Sequence, residues 1–153
     1  MGTWVFLAYQ LPREPSRPRL ALWRALKRLG AGLIADGVAA LPESPRNVEH
    51  FEWLAAHVEE NAGTASVWLA QPRTRAAERA LVAGLRDEVD AEYRAVAREA
   101  EASADGDEVA RRRALRTLRR ALARIGARDY FDAPGARAAR DAVDALQRTV
   151  VAG

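Results

Sequence analysis

Six arginines, Arg112, Arg113, Arg116, Arg119, Arg120 and Arg124, recur at helical intervals in a stretch that holds no acidic residue between Glu108 and Asp129. At about 100° per residue, a helix over 108–125 places Leu115, Leu118, Leu122 and Ile125 on one arc and these six on the other. A guanidinium is planar, always charged and forked to match a phosphate bidentately. Six on one face therefore suit a nucleic-acid backbone, which they would bind with release of counterions and hence with salt dependence. Other readings of the same face are a plain solvated surface, one neutralised by the Glu-rich side of a helix over 48–60, or a membrane-surface helix. Against the last, the apolar arc carries neither Trp nor Phe.

A smaller version of the pattern lies near the N-terminus, in Arg17, Arg19, Trp23, Arg24, Lys27 and Arg28. Arg24, Lys27 and Arg28 fall outside the apolar arc of their helix and Trp23 at its border, placed either to stack on a base or to cover the edge of a core. These twelve residues are the candidate nucleic-acid contacts. Other chemistry finds little support. His50 and His57 share one side of a helix, but seven residues at about 1.5 Å rise set them roughly 10 Å apart, too far for one metal ion, so both read as core-bordering residues. The chain has no cysteine, which excludes disulfides, thiolate metal sites and Cys nucleophiles. The glycines from Gly30 to Gly37 form no G-x-G-x-x-G and no serine sits in a G-x-S-x-G elbow. No enzyme, no metal and no cofactor is expected.

The charge is unevenly spread. Of 153 residues with net charge +3, positions 1–103 hold 13 Arg/Lys against 14 Asp/Glu, and 104–153 hold 11 Arg against 7 Asp/Glu. Two basic patches thus frame a near-neutral body. The apolar run Trp4 to Tyr9 is far shorter than the roughly 20 residues of a membrane span, and no basic segment precedes it as in a signal peptide. A cytoplasmic protein without membrane contact is expected.

The elements that must position these residues can be read in order. Trp4–Tyr9 is rich in strand formers and predicts a strand buried on both faces, ending at Pro12. Leu22, Ala25, Leu26 and Leu29 recur at helical spacing, with Gly30 where a cap belongs. Short strands flank Asp36-Gly37, a hairpin turn pair that tolerates positive φ. Pro42 and Pro45 break the chain before a helix from Val48 to Glu60, and Thr64–Ala70 predicts a fourth strand. The order β-α-β-β-α-β is the ferredoxin-like plan, so the fold class is α+β: a sheet domain over 1–73, then a helical segment over 74–153. That segment should hold a helix from Arg75 to about Ala102 with an Asp90–Arg94 pair, the 108–125 helix stopped by Gly126, and a last helix opened by Pro134.

The run Arg19-x-x-x-Trp23-Arg24-x-Leu26-Lys27-x-x-Gly30-Ala31, followed by Asp36-Gly37-Val38 and Leu41-Pro42, resembles the N-terminal module of the chromate-resistance regulator family ChrB. Ile125-x-x-Arg128-Asp129-Tyr130-Phe131 is similar to the Arg-Asp-Phe-Phe-type stretch that closes that module, so the likeness spans nearly the whole chain. The resemblance implies a transcription regulator of chromate efflux that binds DNA and responds to an oxyanion. Longer members continue into a second domain associated with sensing, whereas this sequence ends at Gly153. The fold plan also looks like the middle domain of PaaX-type repressors and like small CRISPR adaptation nucleases, which dimerise through it; a homodimer is therefore expected. Those nucleases carry an Asp at the end of the first strand, where Tyr9-Gln10-Leu11-Pro12 offers no carboxylate. The alternative is a module without DNA, binding a protein partner or a small oxyanion such as chromate or sulfate.

Overall fold

The computed structural model describes residues 2–151. In chain order the elements are β1 (Trp4–Gln10), α1 (Arg17–Leu29), β2 (Gly32–Ala35), β3 (Val38–Pro42), α2 (Pro45–Glu60), β4 (Thr64–Ala70), α3 (Arg75–Ser103), α4 (Glu108–Ala127) and α5 (Ala136–Val151). The four strands form one antiparallel sheet in the order β2-β3-β1-β4, the ferredoxin-like arrangement expected from the element order. Helices follow it, as the α+β reading requires.

Strand register explains the core of the sheet unit. Val5 lies opposite Leu41 and Leu69, and Leu7 opposite Ala39 and Val67. Because side chains alternate, Val5, Leu7, Ala39 and Leu41 share one face, and all four are fully buried together with Phe51 and Val58 of α2. Trp4, Phe6, Ala40 and Gly32 share the other face. There the start of α3 lies close: a Cβ on Gly32 would stand 2.5 Å from Leu85 Cδ1, so a side chain at this position would have to displace that of Leu85. Glu78 of α3 accepts hydrogen bonds from the Gly2 N–H at 2.7 Å and the Trp4 indole N–H at 3.3 Å. The central strand β1 is thus covered on both sides, as its unbroken apolar run predicts. At the sheet edges Leu33, Ile34, Trp68 and Leu69 remain exposed.

Local signals set the helix ends. Gly30 caps α1 in the left-handed conformation, with φ 74°. In the β2–β3 turn Gly37 takes φ +81°, while Asp36 stays at negative φ, so only one of the two turn residues uses the left-handed region. Pro45 opens α2 rather than breaking the chain ahead of it. The Ser44 hydroxyl accepts the Asn47 N–H at 3.0 Å, and a proline in the first turn lacks only an N–H that would have no helical partner.

The contacts divide the chain into two compact units, meeting between Leu85 and Arg86 inside α3. The second unit joins the rest of α3 to α4 and α5 around Val89, Tyr93, Val96, Leu118, Ile125, Ala139, Val143 and Leu146. The Asp107 carboxylate caps α4 by accepting the Ala110 N–H at 2.8 Å. Gly126 does not stop α4; the helix runs on to Ala127 and closes at Arg128 without a left-handed residue, the Arg128 N–H reaching Ile125 O at 3.1 Å and the Asp129 N–H reaching Gly126 O at 3.3 Å. Nor does Pro134 begin α5, which starts at Ala136. Buried Asp90 fixes this connection, accepting the Gly135 N–H at 2.5 Å while it pairs with Arg94 at 2.8 Å.

Candidate nucleic-acid interface

Burial of Leu118 and Ile125 fixes the rotation of α4, and all six candidate arginines on it are exposed. They are not equivalent. Arg112 pairs with Glu108 of its own first turn at 2.9 Å, and Arg119 pairs with Asp144 of α5 at 3.0 Å and also donates to the Gln147 side-chain oxygen. Arg113, Arg116, Arg120 and Arg124 make no ion pair among the described residues. On a helical wheel these four fall within an arc of about 80°, opposite the buried Leu118 and Ile125, and they span roughly 16 Å along the axis. Arg112 and Arg119 lie together along one edge of the arc. Arg111, by contrast, turns inward, donating to Gly106 O at 2.6 Å and leaving its Nε buried without a partner. The outcome is a strip of four positive charges not offset by a neighbouring carboxylate, and its field is focused where a polyanion can approach.

The basic residues of α1 are also exposed, while Leu22 and Leu26 anchor the helix. Their surroundings differ from those on α4. Lys27 Nζ lies 5.3 Å from the centroid of the Trp23 ring, so one face of this half-exposed indole is already engaged by a cation. Arg28 lines a groove between α1 and α2 beside Glu49, Glu52 and Glu60, which oppose its charge. Arg19 and Trp23 border a separate cavity with Tyr9 and Asp36. Only Arg17 and Arg24 remain as outward charges with no such neighbour. His57 is held by Pro18 O at 3.3 Å and by Asn61, and no group of three or more potential metal ligands occurs among the described residues. No helix among them is long and apolar enough to cross a membrane.

Comparison with known proteins bears on the first unit above all. The family described as Protein ChrB, N-terminal, matches residues 19–111, more than half of the chain. The chain belongs to the ChrB N-terminal family. It is 31% identical over 93 residues to Protein ChrB of Cupriavidus metallidurans, a match that covers 61% of this chain and 25% of the relative. The chain therefore corresponds to about a quarter of the length of that ChrB protein. No solved structure matches. The family match includes Arg19, Trp23, Arg24, Lys27 and Arg28 but leaves out Arg17, the arginines from Arg112 to Arg124, and the Arg128–Phe131 stretch. The family match thus covers less of the chain than the sequence motifs do, and the charged strip on α4 stands on its own geometry.

Sequence spacing found the arginines but missed the residues that divide them. Asp144 and Gln147 lie 25 and 28 positions from Arg119. The one local signal was Glu108, four residues before Arg112.

Proposed function

We propose that this chain is a non-enzymatic DNA-contacting module of a chromate-resistance regulator, acting in the cytoplasm. Membership of the ChrB family supports the regulatory context. The observation that carries DNA contact is the strip of unpaired Arg113, Arg116, Arg120 and Arg124, since a helix with about 6 Å between residues four apart can set successive guanidinium groups against successive phosphates. Arg17 and Arg24 of α1 are proposed as secondary phosphate contacts. A homodimer is proposed as the working form, supported by the exposed Leu33, Ile34, Trp68 and Leu69 on the edge strands. Chromate or another oxyanion is proposed as the effector of the regulator to which the module belongs.

Fluorescence anisotropy with the DNA upstream of the protein's own gene and with a scrambled duplex, at low and near-physiological salt, tests this reading. Preference for the upstream sequence is the expected result, and release by chromate would locate the response in this chain. Absence of binding to either duplex at low salt refutes it.

A further inference from the structure

At the carboxyl end of β1 the sheet unit forms an open surface cleft of about 620 Å³, within the size range of sites for small organic ligands. Its walls come from β1, α1, the β2–β3 turn and the α2–β4 turn. Leu11, Leu22 and Trp23 give it apolar sides, and Arg19 and Asp36 give it one charge of each sign. Neither charge makes an ion pair or side-chain hydrogen bond among the described residues, although both act on the Tyr9 phenol. Burial pushes that phenol above its ordinary pKa, while Arg19 pulls it down and Asp36 pushes it up. Tyr9 is therefore a neutral hydroxyl at physiological pH, able to donate and accept.

The backbone of the two turns beside the cleft is constrained. Gly37, with φ +81°, has no room for a side chain, since a Cβ would stand 2.6 Å from Tyr9 O. Ala62, also on the wall, holds a left-handed φ of 66°, which is unfavourable for a residue with a Cβ. A dianion gripped by Arg19 would face the Asp36 carboxylate across the same space. A ligand carrying both charges satisfies both groups at once.

We propose that this cavity binds a small zwitterion of the amino-acid class, its carboxylate on Arg19, its ammonium on Asp36 and its side chain against Trp23 and Leu22. The site is independent of the arginine strip on α4, so failure of DNA binding leaves it standing.

Titration calorimetry of the whole chain with L-phenylalanine and L-leucine, beside 3-phenylpropionate, 2-phenylethylamine and inorganic sulfate, tests it. Saturable heat with an amino acid, weakened at least about tenfold when either charge is removed from the ligand, is the expected result. Asp36→Asn should abolish the preference for phenylalanine over 3-phenylpropionate, and Arg19→Gln the preference for phenylalanine over 2-phenylethylamine. Both positions are exposed and asparagine serves the turn as well as aspartate, so the fold is kept, with circular dichroism as the check. No saturable heat from either amino acid, binding of sulfate alone, or the parent's affinity and selectivity retained in both variants overturns the proposal.

Discussion

Replacing Arg116, Arg120 and Arg124 together by alanine removes three of the four exposed, unpaired charges of the α4 strip while leaving the Arg112–Glu108 and Arg119–Asp144 pairs in place. Each phosphate contact on duplex DNA contributes about 0.9 to the slope of log affinity against log salt, so three contacts contribute about 2.7. Between about 50 and 200 mM salt a slope difference of that size is a factor of roughly 40 in affinity. The triple variant should lose most of its binding at low salt and little more as salt rises. Alanine is the best helix former and all three positions are solvent-facing, so the helix should be unharmed. The single variants refine the test. Arg119→Ala should change the slope by less than Arg116→Ala, because Asp144 already holds that guanidinium at 3.0 Å. Asp144→Ala should release Arg119 and steepen the slope by up to about 0.9. Anisotropy titrations at four or more salt concentrations read all of these. An unchanged slope in the triple variant, or equal effects at Arg116 and Arg119, would refute the reasoning.

Stability measurements check the packing that presents the strip. Leu146→Ala, emptying a fully packed position of the helical unit, should cost about 2 to 5 kcal/mol by denaturant titration; a loss under about 1 kcal/mol would contradict the close packing. Gly63→Ala should lower the melting temperature, because its Cβ would stand 2.3 Å from Gln10 O, whereas Gly84→Ala, with nothing within 4 Å in mid-helix, should gain up to about 1 kcal/mol. Equal effects at the two glycines would be inconsistent with the close approach at Gly63. Hydrogen bonds from the Gly2 N–H and then the Trp4 indole hold the Glu78 carboxyl below its ordinary value of 4.5. Its contribution is therefore complete above that value and lost as pH falls through the lowered one, so Glu78→Gln should flatten the acid limb of the stability curve. A variant as acid-sensitive as the parent would speak against that role.

What the sequence made legible was local. Leu22 and Leu26 gave the buried side of α1, Asp36-Gly37 gave the hairpin, and Thr64–Ala70 gave β4 with its observed bounds, because each signal lies within a few residues of the structure it specifies. The six arginines were legible for the same reason. Their division into paired and unpaired groups was not, since Asp144 reaches Arg119 only once α5 has docked on α4. Coverage of the second sheet face by Glu78, Leu81 and Leu85 was also hidden: the stripe on α3 reads as one amphipathic face, and nothing in its spacing marks the point where it passes from the sheet unit to the helical one. Pro45 misled for a simpler reason, as proline ends a helix from within but is well suited to its first turn. The cavity beside Tyr9 was invisible because four elements distant in sequence contribute its walls.

The most direct test of DNA contact by α4 is arginine-selective modification with phenylglyoxal, mapped residue by residue by mass spectrometry with and without the upstream duplex. Protection of Arg113, Arg116, Arg120 and Arg124, with little change at Arg79 and Arg98 on α3, is the predicted result. Equal modification of the four α4 arginines in the presence and absence of bound DNA would contradict the assignment of this strip as the DNA contact.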